Sequence, residues 1–238
     1  MRSGYKFFAQ LHESGAVRAS DRSTLDERAL ASFGSDSLAD KLSRELARER
    51  ALPIKELFES FEFFARVRKF VRAPLMADLC AGHGLTGLLF ALYERSVERV
   101  LLIDRCRPPS FDRVLAATVR VGPWVADKVE YREGSLKREV GRLEPNTAIL
   151  GVHACGLQTD QCLTAALDLR SKVAVMPCCY PAAHCLAPPT LLQHLGVEQA
   201  FDVDRTYRLQ AAEYDVRWDA IPSEITPMSR VLVGVPRR

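Results

Sequence analysis

Met76-Ala77-Asp78-Leu79-Cys80-Ala81-Gly82-His83-Gly84 is the stretch that decides the fold. Pro74 to Leu79 is an apolar run, as in a strand buried on both faces. Gly82 and Gly84 then allow a tight turn and a close approach of backbone to ligand. Leu85 to Tyr93 reads as the helix that follows. About twenty residues on, a second apolar run, Val100 to Ile103, stops at Asp104. An acid at the end of the second strand is where a Rossmann-like site holds the two ribose hydroxyls of a nucleoside.

Gly82, Gly84 and Gly87 also satisfy Gly-x-Gly-x-x-Gly, so spacing alone leaves a nicotinamide dinucleotide open. Asp78 separates the two readings. A carboxylate at the strand end repels a pyrophosphate arriving at the helix N-terminus and welcomes an ammonium. A Tyr-x-x-x-Lys catalytic pair is also missing from the sequence. At this point the chain resembles the class I S-adenosylmethionine-dependent methyltransferases, whose first motif is acid-x-Gly-x-Gly-x-Gly and whose second-strand acid binds ribose. Cys80 and Ala81 depart from it where the first glycine is usual, although both are small.

The rest of the chain follows the same alternation. Strands are expected at 75–80, 99–104, 128–132, 147–153 and 172–177, and helices at 85–94, 110–120, 157–169 and 188–195. A further helix from Asp202 to Ala212 precedes strands at 214–219 and 230–235. Two late strands without a full intervening helix fit the antiparallel seventh strand of the methyltransferase fold. The expected architecture is therefore α/β: a Rossmann-like, seven-stranded, mostly parallel sheet with helices on both faces, plus an N-terminal helical extension. Residues 1–52 are assigned to the extension, poorly ordered in part over 1–24, and 53–238 to the methyltransferase domain.

In the extension, Leu38, Leu42 and Leu46 predict a helix capped by Ser35 or Asp36 and running to Arg50. Pro53 suits the first turn of a second helix. Ile54, Leu57, Phe58, Phe61, Phe64, Val67 and Val71 form its broad apolar face. Its basic end, Arg66, Arg68, Lys69 and Arg72, is expected to be solvated with the helix packed on the sheet, in preference to a substrate-binding lid.

Composition sets the outer limits. At 238 residues and 47% apolar content the chain suits one α/β domain with an extension. No apolar run approaches a membrane span of about 20 residues. Met1-Arg2-Ser3 leads into charged sequence, so secretion is not expected, and seven cysteines, an odd number, suit reduced thiols in a cytoplasmic protein. A net charge of +3 permits nucleic acid binding without arguing for it.

Ligands in an open α/β sheet bind beyond the carboxyl ends of the strands. Those ends supply Asp78 and Cys80, then Asp104 and Arg105, then Gly134-Ser135, then His153-Ala154-Cys155-Gly156, then Pro177-Cys178-Cys179-Tyr180. His153 is the general-base candidate, because an imidazole accepts protons near neutral pH. Asp160, one turn into the next helix, is the candidate to orient it, although both also fit purely structural roles. Methyl transfer from a sulfonium needs little else, since the donor is already activated.

Val152-His153-Ala154-Cys155-Gly156-Leu157-Gln158-Thr159-Asp160 resembles the His-x-Cys-Gly-x-x-Thr-Asp segment of one methyltransferase branch. That branch holds the eukaryotic tRNA 2′-O-methyltransferases and methyltransferase-like domains fused to a glutathione-transferase-like C-terminal domain. Pro177-Cys178-Cys179-Tyr180 and Ile225-Thr226-Pro227-Met228-Ser229-Arg230 look like the same branch, so the resemblance covers roughly 54–238. It implies S-adenosylmethionine as cofactor. Asp78, Cys80, Ala81, Gly82 and Gly84 would sit on the methionine side, Asp104 and Arg105 at the ribose, and Ser135 at the adenine, with His153 adjoining. Cys178, Cys179, Tyr180 and Arg230 would face the acceptor, Tyr180 by stacking and Arg230 by holding an anion. The acceptor is left between RNA and a small metabolite, and the oligomeric state is open. Vicinal cysteines chelate one zinc awkwardly, so no metal is expected, and Cys178 and Cys179 are read as small, largely buried residues shaping the pocket. A nicotinamide oxidoreductase and a non-catalytic cofactor-binding scaffold are the alternatives.

Overall fold

The computed structural model describes residues 4–15 and 17–237. Seven strands form one sheet: β1 (Leu75–Leu79), β2 (Arg99–Asp104), β3 (Val129–Glu133), β4 (Ala148–Val152), β5 (Val173–Met176), β6 (Tyr214–Ala220) and β7 (Arg230–Pro236). Their order is β3-β2-β1-β4-β5-β7-β6, and only β7 runs against its neighbours. The chain steps one way from β1 to β2 and β3, then returns to the other side of β1 with β4. The crevice between the β1 and β4 ends is thus the switch point at which such sheets bind ligands. Every expected strand is present, with ends displaced by no more than one residue.

Alternation along the strands sorts the core into two layers. Met76, Val100, Leu102, Leu150 and Met176 face one side, and Ala77, Leu79, Leu101, Ile103 and Val175 the other. The first side is covered by α3 (Ile54–Val71), α4 (Leu85–Tyr93) and α5 (Pro109–Val121). Covering the second are α6 (Leu136–Val140), α7 (Gln158–Asp168) and α9 (Val197–Ala211), the last preceded by α8 (Pro189–Leu195).

Residues before 53 share the first layer's core. Short helix α1 (Ala9–Ser14) and α2 (Leu38–Arg48) flank a 3-10 turn at Glu27–Ser32. Leu25, Phe33, Leu42 and Leu46 are fully buried there. The α2 cap is Ser37, whose Oγ accepts from Asp40 N at 3.1 Å. Ser35, expected as the cap, instead accepts from Ser37 N through its Oγ, and Asp36 is exposed. The early segment is anchored by aromatic contacts, Phe8 meeting Phe58 and Phe61 with ring centroids 5.4 and 5.0 Å apart. It is also anchored by the fully buried Glu62 carboxylate, which accepts from Lys6 N and Phe7 N at 2.8 and 2.7 Å.

Helix α3 lies on the sheet as expected, and its basic end is solvated only in part, at Lys69 and Arg72. Arg66 is buried in an ion pair with Glu62. Arg68 and Arg72 share Glu94 at 2.5 and 3.2 Å. The opposite end of α3 reaches the switch point. Segment 21–25 pairs with it through Ile54 N to Ser23 O and Lys55 N to Asp21 O, at 3.0 and 2.8 Å, which brings Arg22 over the same crevice.

Candidate active site

The loop after β1 turns through three left-handed residues: Cys80, Gly82 and Gly84 have φ of 62°, 52° and 77°. Cys80 therefore occupies a conformation that glycine adopts freely and other residues adopt at a cost. At Gly84 a Cβ would lie 2.7 Å from the Leu102 side chain, and at Gly87 one would overlap Leu102 and lie 3.3 Å from Asp78. Helix α4 thus sits on β1 and β2 closely enough that a Cβ at Gly84 or Gly87 would displace Leu102.

Two acids hold this loop. Asp104 Oδ2 accepts from Gly82 N at 2.8 Å and its Oδ1 from Arg105 N at 2.6 Å. Asp78 is 2% exposed and accepts from Gly87 N at 3.0 Å. Burial pushes the Asp78 carboxyl up to about 7, against the lowering effect of the Gly87 hydrogen bond. Tyr131, on β3, completes the loop: its hydroxyl donates to Gly82 O at 3.0 Å and Cys106 O at 3.3 Å. Ala81 N bonds Ile103 O at 3.1 Å. The Arg105 side chain and Ser135, the residue before α6, are exposed beyond the ends of β2 and β3.

A cavity of about 460 Å³ opens on the β1–β4 side, lined by Asp78, Cys80, Gly82, His83, His153 and the first turns of α3. Two carboxylate–imidazole pairs face into it. Glu59, 1% exposed, accepts from His153 Nε2 at 2.9 Å and pairs with Lys55. Glu56 pairs with His83 Nε2 at 2.8 Å, while His83 Nδ1 accepts from Leu85 N at 3.1 Å. That second bond puts the His83 proton on Nε2. Burial raises the Glu56 carboxyl, but the His83 hydrogen bond and the charges of His83, His153 and Lys55 outweigh it and leave the group below its ordinary value. Cys80 is no nucleophile here: burial first, then Asp104, Asp78 and Cys155, push its thiol up to about 12.

Several expected roles fall elsewhere. Asp160 does not orient His153, because its carboxylate is taken by Arg205 and Arg208, each at 2.8 Å. Glu59 holds that imidazole, and α3 had no expected part in the site. Tyr180 is tied inward by its hydroxyl, which donates to Asp202 at 2.9 Å, and its ring meets Phe201 edge-on at 5.8 Å. Arg230 is bound to Asp202 at 2.8 Å and lies over the Tyr180 ring at 5.7 Å. Both are structural ties between the β5 end, α9 and β7, not a stacking platform and an anion hook. Cys179 is exposed and Cys178 half-buried, so neither is the buried packing residue expected; with Cys155 they form a cluster of thiols.

This order of strands, with an acid-and-glycine loop after β1 and an acid closing β2, is the arrangement of a methyl-transfer enzyme's cofactor site. A family model described as a methyltransferase domain matches residues 53–184. The chain belongs to that family. It is a class I, S-adenosylmethionine-dependent methyltransferase. The nicotinamide reading is thereby set aside. Among solved structures, the chain is similar to a Corynebacterium glutamicum protein at 14% identity and TM-score 0.53, covering 89% of this chain and 96% of that one. It is also similar to the S-adenosylhomocysteine-bound Podospora anserina methyltransferase PaMTH1 at 13% identity and TM-score 0.50, covering 86% and 89%. A third is the small RNA methyltransferase HEN1, at 12% and 0.51, covering 78% of this chain and 26% of that one. No curated protein matches. At these identities the likenesses speak for the fold. Among the described residues, no helix is long and apolar enough to cross a membrane.

Proposed function

We propose that this methyltransferase methylates a hydroxyl or amine of a small, uncharged or cationic acceptor, with His153 as general base. The cofactor's methionine end would lie along Asp78, Cys80, Ala81, Gly82 and Gly84. Asp104 and Arg105 would hold the ribose and Ser135 the adenine. S-adenosylmethionine supplies the methyl group, and the chain's own residues supply alignment and a proton acceptor. A hydroxyl sheds its proton as it attacks, and an ammonium must give its proton to the base before its lone pair can attack. Glu59 fixes the His153 ring through Nε2, which leaves Nδ1 as the basic nitrogen. The carboxylate also stabilises the imidazolium that forms.

The observation that carries this reading is the Glu59–His153 pair, 2.9 Å apart, on the wall shared with Asp78 and Gly82. The charge of that wall supports this acceptor class. Glu56, Glu59 and Asp78 face the cavity against Arg22 and Lys55, and Lys55 is already paired with Glu59. A phosphate backbone would meet carboxylates with few cations to offset them. The seven cysteines and their exposure support a cytoplasmic setting.

The test is methyl transfer from labelled S-adenosylmethionine to a panel of small alcohols and amines and, in parallel, to tRNA. On the acceptor that reacts, Glu59→Gln should lower kcat about 10- to 100-fold, with cofactor affinity unchanged. Transfer to tRNA alone would overturn the acceptor class. An unchanged kcat in both Glu59→Gln and His153→Ala would overturn the base.

A further inference from the structure

We propose that Cys155, Cys178 and Cys179 form a three-thiolate site for one thiophilic d10 cation of the Zn2+ class, where the loops after β4 and β5 meet. Cys155 lies 23 and 24 positions before the adjacent Cys178 and Cys179, and the sheet brings it to them. Strands β4 and β5 are parallel neighbours with Val152 opposite Met176, so the loops that leave them start side by side. His153 N donates to Met176 O at 3.2 Å and ties the loop bases. His153 and Gly156 both have left-handed φ, 57° and 60°, so the chain doubles around Cys155.

The thiols converge on one point. Sγ of Cys155 lies 3.1 Å from that of Cys178 and 3.7 Å from that of Cys179, and the two vicinal sulfurs are 3.7 Å apart. With a Zn–S bond of about 2.3 Å, tetrahedral ligation places sulfurs about 3.8 Å apart. Two of the three separations are already at that distance, and the third needs a small opening. Adjacency in sequence is no obstacle, because the backbone sends both vicinal side chains to the same side. A disulfide would use two of these sulfurs and leave the third without purpose, whereas one cation uses all three.

Binding converts three neutral thiols to thiolates and releases three protons to solvent, giving a site of net charge −1. Cys155 and Cys179 are exposed, so the ion has a route in. Three protein ligands leave the fourth tetrahedral position open, as in zinc sites that take an outside ligand. The neighbours are pertinent: Cys155 is two residues from His153, which lines the cavity. The ion would clamp the β4 and β5 loops together.

The experiment uses the full chain, reduced and stripped of metal, titrated with Co2+ as a spectroscopic probe and then with Zn2+. Tetrahedral thiolate ligation should give sulfur-to-cobalt charge-transfer absorption saturating at one equivalent and abolished by one equivalent of Zn2+. Each of Cys155→Ser, Cys178→Ser and Cys179→Ser should lose at least tenfold in affinity, and Cys106→Ser none. Independently of any variant, Zn2+ should remove three thiols of the wild-type chain from reaction with a thiol reagent. The proposal is overturned if no charge-transfer band appears, or if the band survives replacement of all three cysteines. It is equally overturned if excess Zn2+ leaves the number of reactive thiols unchanged.

Discussion

The two halves of the crevice are built by different means. On the β1–β3 side the loop is shaped by backbone: three left-handed residues, amides pointing at carboxylates, and a helix turn too close for a Cβ. On the β4 side the working groups are side chains held by other side chains, and their partners come from α3, almost a hundred residues earlier in the chain. A cofactor whose shape never varies is suited by the first kind of construction. An acceptor that differs from one enzyme to the next is suited by the second, since a few substitutions on α3 rewrite it without touching the loop.

Loosening α3 should therefore separate the halves. Glu62 is fully buried, pairs with Arg66 and receives Lys6 N and Phe7 N. Glu62→Ala removes the buried carboxylate that pairs with Arg66 and accepts from two amides, at a cost of about 3–5 kcal/mol. A thermal melt should fall by roughly 10 °C for a chain of this size. Cofactor affinity, measured well below the melt, should change less than about threefold, because the glycine loop draws no support from Glu62. A loss of affinity as large as the loss of stability would show that the halves are one unit.

The converse change strikes the cofactor half. Asp104→Ala removes both the Gly82 N acceptor and the proposed ribose ligand. Calorimetric titration of S-adenosylmethionine should show at least a 100-fold loss of affinity, about 2.7 kcal/mol. Asp104→Asn keeps one oxygen for Gly82 N and should lose only about tenfold. Equal losses in the two variants would mean that shaping the loop contributes nothing beyond ribose binding.

This asymmetry also explains what the sequence discloses. The strands end where apolar runs meet Asp78, Asp104, Gly134, His153 and Pro177, and such ends are local. The acid-and-glycine loop is local too, so cofactor and fold were legible from one stretch of nine residues. Glu59 and Glu56 are not legible that way. On α3 they read as ordinary polar positions of an amphipathic helix, and only the tertiary fold brings them to His153 and His83. Asp160 misled for the complementary reason, since nearness in sequence to His153 counted for less than Arg205 and Arg208 on α9. Phe7 and Phe8 lie in a stretch expected to be poorly ordered in part, although three aromatics within Tyr5 to Phe8 are a usable signal for packing.

Asp78 gives the comparison a pH axis. Its folded carboxyl, pushed up to about 7, lies well above its unfolded value of about 3.9. The folded state therefore binds the extra proton between these limits. Asp78 contributes stability that is fully present below about pH 4 and is lost as pH rises through about 7. Binding of the cofactor's ammonium, as proposed, needs the ionised form, so affinity should run the other way. It should rise by up to tenfold per unit between about pH 6 and 7 and level off above that. Melts and titrations at matched pH check both slopes, and Asp78→Asn should flatten both. Parallel slopes would mean that Asp78 stays protonated beside the cofactor.

The smallest effect is the most local. Cys80 sits at φ 62° where the family motif has glycine, and a non-glycine residue there costs about 1–2 kcal/mol in strain. Glycine removes that strain but adds about 0.5–1 kcal/mol of backbone entropy to the unfolded chain. Cys80→Gly should therefore raise stability by at most about 1 kcal/mol, a few degrees in a melt. Cofactor affinity should change little if the loop is already in its binding shape, as the Asp104–Gly82 and Tyr131–Gly82 bonds imply. A marked gain in affinity would mean that Cys80 holds the loop away from that shape. The nonstandard residue would then act as a restraint on the cofactor half, held in place by a single side chain.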